Sequence, residues 1–140
     1  MKLSINVPFE FRASHHLPVR RELHEHLFRL VVSIEGTMDP ANGFIVDMQK
    51  VRDLVTPLIE ELDASTLNDH SLFAESKGTG AMAATHPTCE TLVHYFVEAL
   101  RAPINAIRSA ARLKRVDVHI VNEDKNGSDA NEWGYASLEL

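Results

Sequence analysis

Two long runs of alternating hydropathy near the start of the chain constrain its fold more than any other feature. In the first, Leu3, Ile5, Val7, Phe9, Phe11 and Ala13 stand on odd positions, with Lys2, Ser4, Asn6, Glu10 and Arg12 between them. In the second, Phe28, Leu30, Val32 and Ile34 stand on even positions, with Arg29, Ser33 and Glu35 between them. Successive side chains of a strand point to opposite faces, so each run predicts a half-buried strand with one apolar side. The first run is long for a strand. Pro8 inside it predicts an open edge or a bulge, because proline has no N–H to give to a neighbour. The connection from Leu17 to Leu23 carries Pro18 and the charged Arg20, Arg21 and Glu22, as an exposed loop does. Pairing the two runs as a hairpin brings the end of the first beside the start of the second.

Parity then selects residues. His24 and His26 fall on the apolar side of the second strand, and His15 on the apolar side of the first. Two imidazoles two residues apart on one strand face can hold one metal ion, with Zn²⁺ the usual occupant. His15 is the candidate third ligand. His16 has the opposite parity and is the weaker alternative. The bland reading of all three is hydrogen-bonded histidines packed in a core. Eight histidines in 140 residues tilt the balance toward metal or proton chemistry.

The rest of the chain supplies helices and a second pair of strands. Turn formers fill Met38 to Gly43, Asp47 is a good N-cap, and Val51, Leu54, Val55, Leu58, Ile59 and Leu62 form a helical stripe. Pro57 predicts a kink or break within it. Asp63 to Pro87 reads as mostly irregular, either a lid or a surface packed against another subunit. Thr88 predicts the N-cap of a second helix carrying Leu92, Tyr95, Phe96, Ala99 and Leu100, broken at Pro103, with Ile104, Ile107 and Ala111 on a further turn or two. Val116, Val118 and Ile120 alternate as a third strand, and Trp133 to Leu138 as a fourth. The order strand, strand, helix, helix, strand, strand predicts one α+β domain over residues 1–140, its helices on one face of a four-stranded antiparallel sheet.

Composition excludes several classes of partner. A net charge of −6 argues against a non-specific nucleic-acid surface. No apolar stretch is long enough to span a bilayer, and the charged start does not read as a signal peptide. A lone cysteine, Cys89, allows no intrachain disulfide and no thiolate zinc cage. The expected compartment is the cytoplasm.

Six short motifs, taken in order, resemble the 6-pyruvoyl-tetrahydropterin and 6-carboxytetrahydropterin synthase family over nearly the whole chain. Phe11-Arg12-Ala13-Ser14-His15-His16-Leu17 is similar to F-x-A-A-H-x-L, and His24-Glu25-His26 to H-G-H. Gly43-Phe44-Ile45-Val46-Asp47-Met48 resembles G-M-V-x-D-F. Leu62-Asp63-Ala64-Ser65-Thr66-Leu67-Asn68-Asp69 resembles L-D-H-x-x-L-N-D. Pro87-Thr88-Cys89-Glu90-Thr91 resembles P-T-x-E-N, and Val121-Asn122-Glu123 resembles V-x-E. The resemblance implies the tunnelling T-fold, a homo-oligomer built as a dimer of trimers with sites between subunits, Zn²⁺ on His15, His24 and His26, and a reduced-pterin substrate such as dihydroneopterin or its triphosphate. It implies a lyase-type enzyme acting on the pterin side chain.

The chain departs from the family at two places. Arg20 stands where the family has its cysteine, and Ala64 where it has a relay histidine. Of the Cys-Asp-His relay only Asp63 is left, which implies a variant mechanism. Some members of the family use a glutamate in place of the cysteine, and Glu22 is the candidate here. His70, His86 and His94 are unassigned, and any of them could fill the gap left at Ala64.

Each candidate carries an alternative. Glu22 is a general base or a solvated loop charge. Asp63 is a relay member or a helix end-cap. Glu25, in place of the family's glycine, is expected to face away from the metal. Glu123 is the carboxylate that accepts two N–H bonds from the pterin ring or a solvated loop acid. Thr88 and Cys89 contact the ring, or are an N-cap and a small buried residue. The position of Cys89 at a helix start predicts a lowered thiol pKa. The rival to the enzyme reading is a zinc-containing pterin- or purine-binding homologue without turnover. A third reading is an oligomer in which zinc only staples the hairpin.

Overall fold

The computed structural model describes residues 2–71, 73, 86–123 and 130–140, with their side chains except at 122, 123 and 130–132. Strands β1 (Leu3–Leu17) and β2 (Arg20–Gly36) form the expected hairpin, in antiparallel register from Leu3 opposite Gly36 to His15 opposite His24. Pro18 and Val19 make the turn. Helix α1 (Met48–Leu62) follows, then a short strand β3 (Ser65–Thr66), a 3₁₀ turn over Leu67–Asp69, and helix α2 (Cys89–Asn105). Strands β4 (Ala111–Glu123) and β5 (Ala130–Glu139) end the chain. The sheet order is β3-β1-β2-β4-β5, antiparallel except where β3 runs parallel to β1 at Ala13 and Ser14.

Alternation decides which face is covered. Val7, Phe9, Phe11, Ala13 and His15 of β1 and Phe28, Leu30, Val32 and Ile34 of β2 are buried. Val51, Val55 and Leu62 of α1 and Leu92, Phe96, Leu100 and Ile104 of α2 are buried in the same core. Phe11 stacks on Phe28 across the hairpin at 5.1 Å between ring centroids, and Phe96 of α2 meets Phe11 at 6.3 Å. The opposite face is polar: Ser33 donates to Asn6 at 2.5 Å, Arg29 pairs with Glu10 at 3.2 Å, and Arg115 pairs with Asp117 at 2.8 Å.

Several expectations need correction. The sheet has five strands rather than four, because two residues after α1 add to the outer edge of β1. So the stretch from Asp63 is not irregular at its start, while 72 and 74–85 lie outside the described residues. Pro103 does not end α2, which runs on to Asn105: it sits in the last turn, and Ile104 beside it is buried. Ala111 begins β4 instead of closing a further helical turn. Pro57 lies within α1 without ending it, since Val55 before it and Leu62 after it are both held in the core. Pro8 occupies an open edge. β3 reaches only Ala13 and Ser14, so the proline carbonyl is left for Arg52, which donates to it at 3.3 Å.

One irregularity shapes the site. β4 pairs Ile120 with Gly134 but Val121 with Glu132, so Trp133 is an extra residue on β5. A bulge of this kind bends a strand and re-aims its side chain. Trp133 is 61% exposed, and its ring centroid lies 5.8 Å from that of His26.

Candidate metal centre and adjoining clefts

The hairpin register brings the three histidines together. His15 is directly opposite His24, and His26 is opposite Ala13, two residues along on each strand. Ring centroids are 4.5 Å apart for His15 and His24, 5.1 Å for His15 and His26, and 4.7 Å for His24 and His26. One ring nitrogen from each lies within 4.8 Å of the other two. Phe28 floors the cluster, with its ring edge-on to both His15 and His26 at 5.9 Å.

Hydrogen bonds set the direction of the lone pairs. His15 Nδ1 donates to the carbonyl of Pro87 at 2.8 Å, which leaves Nε2 as the bare acceptor nitrogen. His24 Nδ1 donates to the carbonyl of Glu22 at 2.9 Å, with the same consequence. His15 is 2% exposed, and its Nε2 is buried without a partner among the described residues. A buried nitrogen left bare costs about 1–3 kcal/mol, so such an atom calls for a ligand. Burial holds the pKa of His15 below the usual imidazole value, helped by the charges of His24 and His16 and opposed by the Pro87 bond. Burial, then His15, His24 and Arg20, push His26 down to about 4. Both are therefore neutral at physiological pH, the form that ligates. Three nitrogen donors with an orphaned buried Nε2 among them fit Zn²⁺. His16 is exposed and takes no part; its backbone is bonded instead to Asn68.

The other sequence candidates divide. Glu22 lies in β2 next to the cluster, with its carbonyl on His24 and its residue exposed to solvent. Asp63 caps α1, and its Oδ1 accepts from the Arg12 N–H at 2.8 Å. Ala64 then turns back with φ 59°, and its N–H donates to the Arg12 carbonyl at 2.6 Å. Asp63 and Ala64 therefore clip α1 and β3 to the edge of β1. Thr88 is the N-cap of α2. Its Oγ1 accepts from Thr91 N at 3.2 Å and lies 2.8 Å from Thr91 Oγ1, whose own proton goes to the His86 carbonyl. The helix cap engages that hydroxyl. Glu25 faces away from the cluster and pairs with Arg12 at 3.6 Å. His70 pairs with Glu61 at 2.8 Å and packs on Tyr95.

The expectation of a lowered Cys89 pKa is wrong. The thiol is buried, and burial, reinforced by the charge of Glu90, pushes it up to about 12. Desolvation of the thiolate outweighs the helix N-terminus. Cys89 does lie beside a cleft of about 230 Å³, together with Glu90, Ile120, Trp133, Gly134 and Tyr135. The sequence reading missed Trp133 and Glu90 as members of this wall. Only a bulge puts Trp133 there, and no hydropathy pattern announces a bulge. Glu123 ends β4 opposite Ala130, and its side chain lies outside the described residues.

Comparison with known proteins gives one consistent result. Residues 4–131 match the family model described as 6-pyruvoyl tetrahydropterin synthase. A dihydroneopterin monophosphate aldolase of Pyrococcus furiosus is 27% identical over 125 residues, covering 88% of this chain and 94% of that protein. The structure of the Caenorhabditis elegans 6-pyruvoyl tetrahydropterin synthase superposes with a TM-score of 0.65 at 16% identity, covering 100% of this chain and 96% of that one. A Plasmodium vivax synthase carrying a glutamate-to-cysteine substitution at a catalytic residue superposes with a TM-score of 0.63 at 13% identity, covering 100% and 99%. At these identities the structural matches establish the shared T-fold.

Proposed function

Since this chain belongs to the 6-pyruvoyl tetrahydropterin synthase family, we propose that it is a zinc-dependent lyase acting on the side chain of a reduced pterin. The observation that carries the reading is the convergence of His15, His24 and His26, with a buried His15 Nε2 that no protein group satisfies among the described residues. Zn²⁺ held there would supply a Lewis acid to polarise a side-chain hydroxyl or carbonyl. The residues of the chain do the rest. Phe28 and the burial of His15 keep water from the inner side of the cluster. The ring is received in the cleft walled by Trp133 and Tyr135, where an aromatic platform suits a flat heterocycle. Glu123 accepts the ring N–H groups from the end of β4.

Glu22 takes the proton in this reading. Its carbonyl accepts from His24 Nδ1, two residues along β2, and a glutamate is a catalytic residue of the Plasmodium vivax relative. Asp63 plays a structural part in this reading, since one of its oxygens is engaged by the Arg12 N–H. The aldolase relative favours cleavage of a carbon–carbon bond in the side chain, started by loss of a hydroxyl proton. A cytoplasmic homo-oligomer completes the proposal. The outer edge of β5, with Trp133 and Tyr135 exposed beside it, has no strand partner among the described residues, and an unpaired edge favours strand addition. No helix among the described residues is long and apolar enough to cross a membrane.

The test is turnover. Zinc-loaded protein is incubated separately with dihydroneopterin, its monophosphate and its triphosphate, and the pterin products are separated by chromatography. A side-chain cleavage product from at least one substrate is expected. Tight pterin binding with no product from any of the three would overturn the lyase reading in favour of a binding protein.

A further inference from the structure

The side chains on the inner face of β5 shrink toward the site. Leu138, Ala136 and Gly134 share that face, opposite Val116, Val118 and Ile120 of β4. Leu138 and Ala136 pack against the core. At Gly134 the packing stops: a Cβ placed there would meet nothing within 4 Å beyond its chain neighbours. Gly134 lines the cleft of about 230 Å³ together with Cys89, Ile120 and Trp133. A glycine inside a strand weakens it, and often marks a place where a ligand comes close.

The register ties this space to the imidazoles. Gly134 is opposite Ile120, and Ile120 is opposite Phe28, whose ring lies edge-on to His15 and His26. Two strand spacings separate Phe28 from Gly134, about 10 Å. Trp133 belongs to both ends of that interval. The bulge makes it the extra residue on β5, and its indole lies 5.8 Å from the His26 ring, tilted by 51°, while it also lines the cleft. One side chain is therefore shared by the cleft and the imidazole cluster.

We propose that Gly134 and Trp133 are the specificity-determining pair of this site. The glycine leaves room for one flat ring, and the indole holds that ring with its substituent toward His26. The inference rests on the pterin reading and adds which residues decide what the cleft admits. The cleft is smaller than the roughly 300 Å³ at which sites for drug-sized ligands begin, so a side chain at position 134 and a bound ring compete for the same space. Stacking of a heterocycle on an aromatic side chain is worth about fivefold to a hundredfold in affinity.

Trp133 is the sole tryptophan of the chain, so indole emission reports this site alone. Co²⁺ taken up by the full chain should quench that emission, and His24→Ala should remove the quenching. Calorimetric titration of the zinc-loaded full chain with neopterin gives the ring affinity without requiring turnover. Gly134→Val should keep the Co²⁺ quenching and lower neopterin affinity at least about tenfold, with Gly134→Ala between it and the wild type. Trp133→Ala should lower the affinity by about fivefold or more, and Trp133→Phe should hold it within about threefold. Unchanged neopterin affinity in Gly134→Val or in Trp133→Ala would overturn the inference while the pterin reading stood. Absence of Co²⁺ quenching in the wild type would overturn the shared placement of the indole. Should Gly134→Val fail to fold, Gly134→Ala decides, because its methyl has no atom to clash with, and wild-type affinity there would overturn the inference. If the wild type itself binds no neopterin, the pterin reading fails and this inference falls with it.

Discussion

Adding Zn²⁺ to metal-stripped protein should raise its melting temperature by an amount that can be estimated in advance. Metal binds the assembled imidazoles and not the unfolded chain, so it stabilises by RT ln(1 + [L]/Kd), about 2.7 kcal/mol at a hundredfold excess over Kd. Unfolding entropy is about 2.1 cal/mol/K per residue, or about 0.29 kcal/mol/K over 140 residues. The expected shift is then about 9 °C. His24→Ala is the informative control, since His24 is half-buried and contributes less to the core than His15. Loss of a supporting hydrogen bond to a ligand costs up to about a hundredfold in affinity, and loss of the ligand itself at least as much. At the same zinc concentration the variant should therefore gain only about 0.4 kcal/mol, or about 1–2 °C. Differential scanning calorimetry at a fixed protein concentration measures both. An equal shift in wild type and variant would place the binding elsewhere and refute the argument from His15 Nε2. No shift in the wild type at millimolar zinc would refute it as well.

Three further outcomes follow from single contacts. Glu22→Gln should lower turnover by about 10²–10⁴-fold and leave the zinc-induced melting shift intact, because His24 is held by the Glu22 carbonyl and not by its side chain; unchanged turnover would remove Glu22 as the base. Native Cys89 should react with iodoacetamide at pH 8.5 far more slowly than the unfolded chain, and its contribution to stability, complete below its ordinary pKa of 9.0, should be lost as the pH rises toward about 12, since the folded state holds the proton more tightly; equal labelling rates would contradict its burial. Asn68→Ala should cost about 1–2 kcal/mol in urea unfolding, since it removes both side-chain bonds to the His16 backbone; a change below about 0.3 kcal/mol would show that water replaces them.

The parts of the fold legible in the sequence are those that one hydropathy period specifies alone. The alternation of Leu3 to Ala13 and of Phe28 to Ile34 sets one buried face on each strand. A hairpin between them leaves His15 and His24 to meet with their apolar neighbours, and they are register partners. Features decided by contacts between distant segments were hidden. β3 is two residues long, too short to show a period, and it exists because Asp63 and Ala64 grip the backbone of Arg12 more than fifty residues away. Trp133 reaches the site because the β4–β5 register slips by one residue at Ile120. Cys89 was misjudged because its local cue, a helix N-terminus, ignores the core that closes over it.

The two substitutions at family positions take on physical meaning through this geometry. Ala64 holds a left-handed backbone that costs an alanine on the order of 1 kcal/mol. The turn is kept by the N–H of Ala64 on the Arg12 carbonyl and the carboxylate of Asp63 on the Arg12 N–H, which together fasten α1 to the sheet edge. Asp63 is thus a structural clip, and its presence is not by itself evidence for a proton relay. Arg20, in place of the cysteine, acts on the site in the opposite sense to a base: its charge helps to keep His26 unprotonated. With one oxygen of Asp63 engaged and Arg20 cationic, Glu22 is the base named from the sequence that the Glu22→Gln measurement tests, and that measurement decides the identity of the base while turnover itself decides the enzyme reading.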